Sequence, residues 1–235
     1  MPKWDDLDLS GFLASQSKMR LISYDEPEIT LAGEYRCQAR QEGHHAIDET
    51  YALTINFPPR YPEAIPTVIE TGGRITRHQD FHTYENGAFC LGSDIRIRAI
   101  IRKNPRLTDF AEKVLDPFLY SVSCKIRYGE FPYGELAHGE LGLIDDYEQL
   151  FGVRGKRAVL DVLNTLGRRK RVANKLPCPC ACGRRLGRCD FRFQVEGWRK
   201  LAQLRWFRHH VKECFTPIEK VKNKKQKKRR RKKRR

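Results

Sequence analysis

The chain has no long hydrophobic run, so the sequence predicts that it has no membrane-spanning helix. No segment of its 235 residues approaches the roughly 20 apolar residues that cross a bilayer. The first residues, Met-Pro-Lys-Trp-Asp-Asp-Leu-Asp, also lack the apolar run of a secretory signal. The sequence therefore predicts a cytoplasmic protein that has no membrane partner.

The C-terminal end lacks aromatic residues and has no apolar residue after Val221. Residues 216–235 are therefore predicted to form a disordered polybasic tail, because such a segment has no core to bury. Thirteen of the 46 Lys and Arg lie between Lys220 and Arg235, and the chain without this stretch has 33 basic and 29 acidic residues, a formal charge of +4. The tail can bind a nucleic acid or another polyanion, or it can simply keep the protein soluble. Without aromatic side chains it is not expected to read bases.

A disulfide framework is not indicated, although the chain has eight cysteines. Cys178, Cys180, Cys182 and Cys189 lie within twelve positions, and such crowding favours a metal site. A Cys-x-Cys pair followed after eight residues by a third cysteine resembles the SEC-C zinc motif, in which thiolates bind one tetrahedral ion. By this resemblance Cys178, Cys180 and Cys189 bind a structural Zn²⁺.

The fourth zinc ligand is open at the level of sequence. The SEC-C motif has a further Cys or His directly after its third cysteine, whereas this chain has Asp190. Either the Asp190 carboxylate binds the ion, or Cys182, His209, His210 or Cys214 provides the last ligand.

Cys90 lies in a segment with no sustained periodicity, as an active-site loop does. A proline-spaced turn, Phe57-Pro-Pro-Arg-Tyr-Pro-Glu-Ala-Ile-Pro66, precedes it and restricts the backbone. His82 lies eight residues upstream, with an Asn86-Gly87 turn between them. A thiol can hold an acyl group as a thioester, so Cys90 is a candidate nucleophile. The alternative is a buried, inert cysteine.

Alternating apolar residues predict antiparallel strands at Glu28–Arg40 and Tyr51–Phe57, and Thr67–Glu70 is a candidate third strand. Cys37 falls on the apolar face of the first strand, so it is predicted to lie in the core, as is Cys124 near a helix end. Helical spacing predicts an opening helix and several later helices; their positions are Leu7–Leu21, a start at Thr108, a fresh start at Asp116-Pro117, Asp145–Phe151, Ala158–Leu166 and Trp198–Val211.

The order of helix, antiparallel meander, proline-rich turn and a His, Gly, Cys-Leu series resembles the ubiquitin-conjugating fold, and most of all its compact bacterial branch. The matching residues are Tyr51, Leu53, Ile55, Phe57, Pro58, Tyr61, Pro62, Pro66, His82, Gly87, Cys90 and Leu91. The resemblance covers roughly residues 10 to 125. It implies an α+β fold, a ubiquitin-conjugating-like antiparallel meander with flanking helices, over residues 1–167. A small zinc module with a helix is expected over residues 168–215.

The resemblance implies that the protein is a transferase. Cys90 would accept a ubiquitin-like modifier from an activating enzyme as a thioester and pass it to an amine of a protein or other target. The family's oxyanion-stabilising asparagine is absent from its usual place after the histidine, where this chain has Thr83 and Tyr84. Asn86 is a candidate substitute, or it serves only the backbone of the turn, which is the interpretation we favour.

His82 is expected to orient the loop or to assist proton transfer. Asp94 is a candidate for taking the proton of the incoming amine. Bacterial relatives often lie beside an activating enzyme or a nucleotide-cyclising defence enzyme, so the resemblance also implies a role in antiphage defence.

Two other functions stay open. The first is a catalytically inactive ubiquitin-conjugating-like module that binds a modifier or target without chemistry. The second is a nucleic-acid or ribosome adaptor that acts through the zinc module and the basic tail. For the adaptor, Trp198, Trp206 and Phe207 are candidates for stacking on bases, or they pack the helix of the module.

Overall fold

A computed structural model describes residues 2–25, 28–132, 137 and 139–215 of the chain. The contacts divide the chain into two units, Met1–Leu136 and Ala137–Arg235. The predicted disordered tail, residues 216–235, lies outside the described residues. Within the described ranges, no helix is both long enough and apolar enough to cross a membrane.

A four-stranded antiparallel sheet forms the centre of the first unit. Its strands are neighbours in chain order, β1 Met19–Asp25, β2 Glu28–Ala39, β3 Ile47–Phe57 and β4 Thr67–Glu70. Buried and more exposed residues alternate along β3, so its apolar face turns towards the core. The predicted α+β class is confirmed, and so are the predicted strands at β2, β3 and β4.

The start of the chain differs from the prediction. The opening helical region consists of α1 Pro2–Asp6 and α2 Leu9–Ser15, and Met19 is already the first residue of β1. The pairing of β1 with β2 shifts register between Leu21 and Ser23, and Ile22 is 64% exposed. The period-two signal is therefore broken inside β1, which is why the sequence pattern does not show a strand there.

Helices follow the sheet in the first unit. They are α3 Asp94–Lys103, α4 Leu107–Phe110 and α5 Asp116–Tyr128, and a π-helical segment, Ala111–Leu115, joins the last two. α5 packs against β2 and β3 and buries Leu119 and Val122 in the core.

Of the two predicted helix starts in this region, the one at Thr108 is wrong and the one at Asp116-Pro117 coincides with the start of α5. α4 begins at Leu107, and the hydroxyl of Thr108 donates to the Asp8 carboxylate at 2.7 Å instead of capping the helix. α5 begins at Asp116 with Pro117 in its first turn, and the helical backbone angles of Leu115 and Asp116 make it continuous with the π-helical segment. The change of helical register at the π-helical segment accommodates a proline, which has no N–H to donate.

The described part of the second unit is helical outside its cysteine-rich loop. Its helices are α6 Gly139–Phe151, α7 Lys156–Leu166, α8 Lys170–Ala173, α9 Phe191–Arg199 and α10 Leu204–Cys214. The buried face of α7 includes Val159, Val162 and Leu163, and α7 packs against α6, α9 and α10. The predicted domain boundary at residue 167 therefore falls inside this unit.

The single helix predicted over Trp198–Val211 is wrong. α9 ends at Arg199 and α10 begins at Leu204. The chain turns between them, where Leu201 is buried. Because Leu201 and its neighbours keep an apolar spacing through the turn, the break is not visible in the hydrophobic pattern.

Candidate thiol site and metal centre

Cys90 ends a short hairpin that begins at His82. Thr83 and Phe89 form an antiparallel bridge, the Tyr84 N–H donates to the Ala88 carbonyl at 2.9 Å, and the Gly87 N–H donates to the Tyr84 carbonyl at 2.9 Å. Gly87 has a φ of 82°. This is the three-residue hairpin loop in which a glycine takes the left-handed conformation.

The hairpin is attached to the sheet through β4. The Phe89 N–H donates to the Val68 carbonyl at 2.9 Å, and the Glu70 N–H donates to the Gly87 carbonyl at 3.3 Å. The backbone on the N-terminal side of Cys90 is therefore fixed by strand pairing.

Thr83 anchors the start of the hairpin. Its hydroxyl donates to the Thr76 carbonyl at 2.7 Å and accepts from the His78 N–H at 2.9 Å, and the residue is buried. The sequence interpretation did not single out Thr83. Its only signal is a small β-branched hydroxyl residue next to His82, which is common in loops.

The three cysteines of the first unit differ in exposure. Cys90 is partly exposed, whereas Cys37 and Cys124 are buried, as predicted for these two. Burial raises the pKa of the Cys37 thiol well above its ordinary value, and the nearby Asp116 carboxylate adds to the effect. Cys37 is therefore an inert thiol, and Cys90 is the cysteine of this unit that is not buried.

His82 contributes its backbone to the position of Cys90. Its carbonyl accepts the Cys90 N–H at 2.7 Å, and its own φ is 50°. The imidazole ring centre lies 5.4 Å from that of Phe131. The geometry supports the loop-orienting role that was one of the two expected for His82.

Asn86 lies at the tip of the hairpin and is exposed. Its side-chain oxygen accepts the Ala88 N–H at 3.0 Å, which is the local side-chain turn that Asn commonly makes. Asp94 is the first residue of α3, directly after its N-cap Ser93, and is partly exposed. The structure thus supports a backbone role for Asn86 and leaves the Asp94 carboxylate accessible.

The four clustered cysteines come from a second hairpin and the segment after it. Pro177 and Arg185 form an antiparallel bridge, the Cys178 N–H donates to the Arg184 carbonyl at 2.9 Å, and the Leu186 N–H donates to the Leu176 carbonyl at 2.9 Å. Three of the cysteines lie on this hairpin. A 3₁₀ turn at Leu186–Arg188 brings Cys189 back to them.

The sulfur atoms of Cys178, Cys180, Cys182 and Cys189 all lie within 4.8 Å of one another. The Cys178–Cys180 separation is 3.2 Å, and Cys189 lies 3.6 Å from both Cys180 and Cys182. A tetrahedral ion with metal–sulfur bonds of about 2.3 Å has ligand separations of about 3.8 Å. The cluster can therefore hold one metal ion without rearrangement of the backbone.

The other candidates for the fourth ligand lie elsewhere. Within the described residues the potential ligand group consists of four thiols and does not include Asp190, which is an exposed residue just before α9. The Nε2 atom of His210 lies 2.8 Å from the Tyr147 hydroxyl, and its Nδ1 lies 3.4 Å from the Cys214 sulfur. Of the alternatives left open by the sequence, Cys182 is the one that the geometry supports.

Hydrogen bonding to Cys182 favours its thiolate. The backbone N–H of Arg184, followed by the thiol of Cys180, lowers the pKa of Cys182 to about 6. The Arg184 guanidinium also lies 3.8 Å from the Cys189 sulfur. In contrast, burial raises the pKa of Cys178 and Cys180, so these thiols need a cation to ionise. Arg184 is a contributor to this centre that the spacing of cysteines alone did not reveal.

Comparison of the chain with protein-family models, curated proteins and solved structures gave no match.

Proposed function

We propose that the protein conjugates a ubiquitin-like modifier, which it carries as a thioester on Cys90. The observation that carries this proposal is the accessibility of Cys90, which is partly exposed while Cys37 and Cys124 are buried. The sequential antiparallel meander, with the cysteine-bearing hairpin paired to β4 and helices on either side in the chain, agrees with the resemblance to ubiquitin-conjugating enzymes. The partners would be an activating enzyme, the modifier and an amine-bearing target.

Two acyl transfers make up the proposed reaction. In the first, the Cys90 thiolate attacks the thioester carbonyl that links the modifier to the activating enzyme, a new carbon–sulfur bond forms, and the thiolate of that enzyme leaves. In the second, a neutral amine attacks the Cys90 thioester, a carbon–nitrogen bond forms, and the Cys90 thiolate leaves. Thiolates are good leaving groups and amines are strong nucleophiles, so both steps suit a thiol carrier.

The attacking amine loses one proton when it becomes an amide, and we assign the Asp94 carboxylate as the acceptor of that proton. The carboxylate is accessible and lies at the start of α3, four residues after Cys90. The Cys90 N–H is engaged with the His82 carbonyl, so it is not assigned as an oxyanion donor. The side-chain oxygen of Asn86 accepts the Ala88 N–H in the hairpin turn, and we assign Asn86 to shaping the loop; an oxyanion role would instead use its side-chain N–H₂ group.

The test is to isolate tagged protein from its native cells under acidic, non-reducing conditions. Wild type should show an adduct that is one small protein larger and that a thiol reductant releases. Cys90→Ser should replace it with an ester that resists reductant but is cleaved by mild base, and Cys90→Ala should show neither. Cys214→Ser is a matched control because Cys214 is also partly exposed, and it should behave as wild type.

The rival interpretation is an inactive module that binds the modifier without chemistry. It predicts a co-purified small protein that is lost in denaturant and is retained equally by Cys90→Ala. An adduct that survives in Cys90→Ala would likewise overturn the assignment of Cys90.

We propose that the ion held by the four cysteines is a structural Zn²⁺. Four thiolates in a tetrahedral arrangement are a common zinc environment, and four protein ligands leave no open position for a substrate. The Gly187 N–H, in the turn that follows the cysteine hairpin, donates to the carbonyl of Asn174, the residue directly after α8, at 3.0 Å. Metal analysis of protein purified without added zinc should give one zinc per chain.

A further inference from the structure

The formal charge of the chain is distributed very unevenly. Residues 168–215 contain 14 Lys and Arg and three Asp and Glu, a net charge of +11, whereas residues 1–167 contain 19 and 25, a net charge of −6. The near-neutral total outside the tail therefore conceals a strongly basic segment, which we call the basic module. Even if four thiolates and one divalent ion at the metal centre subtract two charges, the basic module stays strongly cationic.

Most of this charge is accessible. Arg171, on α8, and Arg185 and Arg188, beside the metal centre, are exposed. One of the three carboxylates, Glu196, is paired with Lys170 at 2.6 Å. A second, Glu213, lies 3.9 Å from the His209 ring. Too few acids exist in the basic module to neutralise it, so it attracts polyanions at the ionic strength of a cell.

The basic module also has an exposed aromatic side chain. Phe193 on α9 is 59% exposed, and the Arg192 guanidinium lies over its ring at 4.6 Å. Arg192 also donates to the Gly187 carbonyl at 2.7 Å, which places this pair against the Leu186–Arg188 turn that carries Arg188. The Phe193 ring and the Arg192 guanidinium are thus held by a hydrogen bond beside the turn that contains Arg188.

The aromatic residues suggested by the sequence for stacking have other contacts. Phe207 is fully buried, the Trp198 ring lies 4.7 Å from that of Phe151, and Trp206 stacks on His210 at 4.6 Å. They pack the helices, which was the second of the two predicted roles. Phe193 differs from them, because it is 59% exposed.

We propose that the basic module binds single-stranded nucleic acid, with a base stacked on Phe193 and phosphates bound by Arg171, Arg185 and Arg188. A base in a duplex has both faces covered by its neighbours, whereas a single strand offers free faces to an aromatic ring. Guanidinium groups bind phosphate oxygens through paired N–H donors. This site lies on the other unit of the chain from Cys90, and the proposal does not depend on the thioester chemistry.

The stacking part is tested with the full-length, zinc-loaded protein and fluorescein-labelled oligouridine, oligodeoxythymidine and a DNA duplex. Phe193→Leu should weaken binding of single strands roughly tenfold, the size typical of one lost base–aromatic stack, and leave duplex binding unchanged. Phe193→Trp should bind single strands as tightly as wild type. Tyr84→Leu is the matched control, since Tyr84 is 57% exposed on the other unit, and it should have no effect. Comparison of the two single strands tells RNA from DNA.

The charge part compares two variants with the same change in net charge. Arg171, Arg185 and Arg188 are replaced together by Gln in one, and Arg229, Arg230 and Arg231 in the other. The variant that lacks Arg171, Arg185 and Arg188 loses three phosphate contacts. Its slope of log affinity against log salt should therefore be about 2 units less negative than that of wild type with single strands. If only the tail variant changes the slope and Phe193→Leu binds like wild type, the tail alone binds the polyanion and the proposal is wrong. Equal binding of heparin by wild type and Phe193→Leu, with no difference on single strands, would also overturn it.

Discussion

The amide of Cys90 donates to the carbonyl of His82 at 2.7 Å, so these two residues are joined through their backbones. His82 has a φ of 50°, a left-handed conformation that Asn tolerates well and that β-branched residues avoid. The structure therefore assigns His82 a role in shaping the loop. This role and an imidazole role in proton transfer predict different mutational effects.

His82→Asn is expected to leave protein stability and the rate of Cys90 thioester formation unchanged, because it preserves the backbone conformation. His82→Val should lower the free energy of unfolding by about 1–2 kcal/mol and slow thioester formation. Urea unfolding and non-reducing gels measure the two quantities. If both variants lose transfer while His82→Asn keeps its stability, the imidazole acts in the reaction.

Asn86 is expected to act through its side-chain oxygen, which accepts the Ala88 N–H at 3.0 Å. Asn86→Asp keeps an acceptor and should preserve both stability and transfer, while Asn86→Ala should cost about 1 kcal/mol of unfolding free energy. An oxyanion donor would give the opposite pattern, because Asn86→Asp would then lower the transfer rate about 100-fold or more at unchanged stability. Single-turnover transfer to free lysine separates these outcomes.

The sequence predicts the elements whose apolar pattern is regular. Along β3, Tyr51, Leu53, Ile55 and Phe57 alternate with more exposed residues, and the strand is visible from composition alone. In α3, by contrast, the buried residues are Ile95, Ile97 and Ile101, a spacing with one strand-like step of two and one helix-like step of four. This helix is missing from the prediction because that mixed spacing gives no sustained helical period.

In the candidate sites, too, some features are visible in the sequence pattern and others depend on the tertiary fold. Cysteine spacing is enough to identify a cluster that could hold a metal ion, because thiols close in sequence can converge on one ion. The choice between Asp190 and Cys182 depends on how the hairpin folds back, which spacing does not encode. The exposure of Phe193 and the burial of Phe207 are likewise consequences of tertiary packing, since both lie among arginines in the sequence.

The proposed zinc site predicts different effects for substitutions at Asp190 and Cys182, the two candidates for its fourth ligand. Asp190→Asn should keep one zinc per chain, because its carboxylate is not part of the sulfur cluster. Cys182→Ser should weaken zinc binding and lower the melting temperature, since it removes a thiolate ligand and binding energy contributes directly to folding. Metal analysis and thermal melts with and without a chelator are the measurements. Loss of zinc in Asp190→Asn together with retention in Cys182→Ser would reverse the assignment.

The last prediction concerns Asp116, whose carboxylate accepts the Tyr35 hydroxyl at 2.7 Å between α5 and β2. Burial raises the pKa of Asp116 from 3.8 to about 6, and the Tyr35 hydrogen bond only partly opposes this. Below about pH 4 the carboxyl is protonated in both the folded and unfolded chains, so the burial of its charge does not lower the free energy of unfolding. Between about pH 4 and pH 6 the unfolded chain releases the proton first, and the free energy of unfolding falls as pH rises.

Asp116→Asn removes this titration and keeps an oxygen that can accept the Tyr35 hydroxyl. Relative to wild type, the variant should gain on the order of 2–3 kcal/mol of unfolding free energy between pH 4 and pH 7, with the gain levelling off above pH 6. Urea unfolding at a series of pH values measures it, and Asp109→Asn is a suitable control because Asp109 lies on the same helical stretch and is paired with Lys113. A difference between wild type and Asp116→Asn that is constant across this range would mean that the folded state does not hold the Asp116 proton, and that the hydrogen bond from Tyr35 outweighs the burial of the charge.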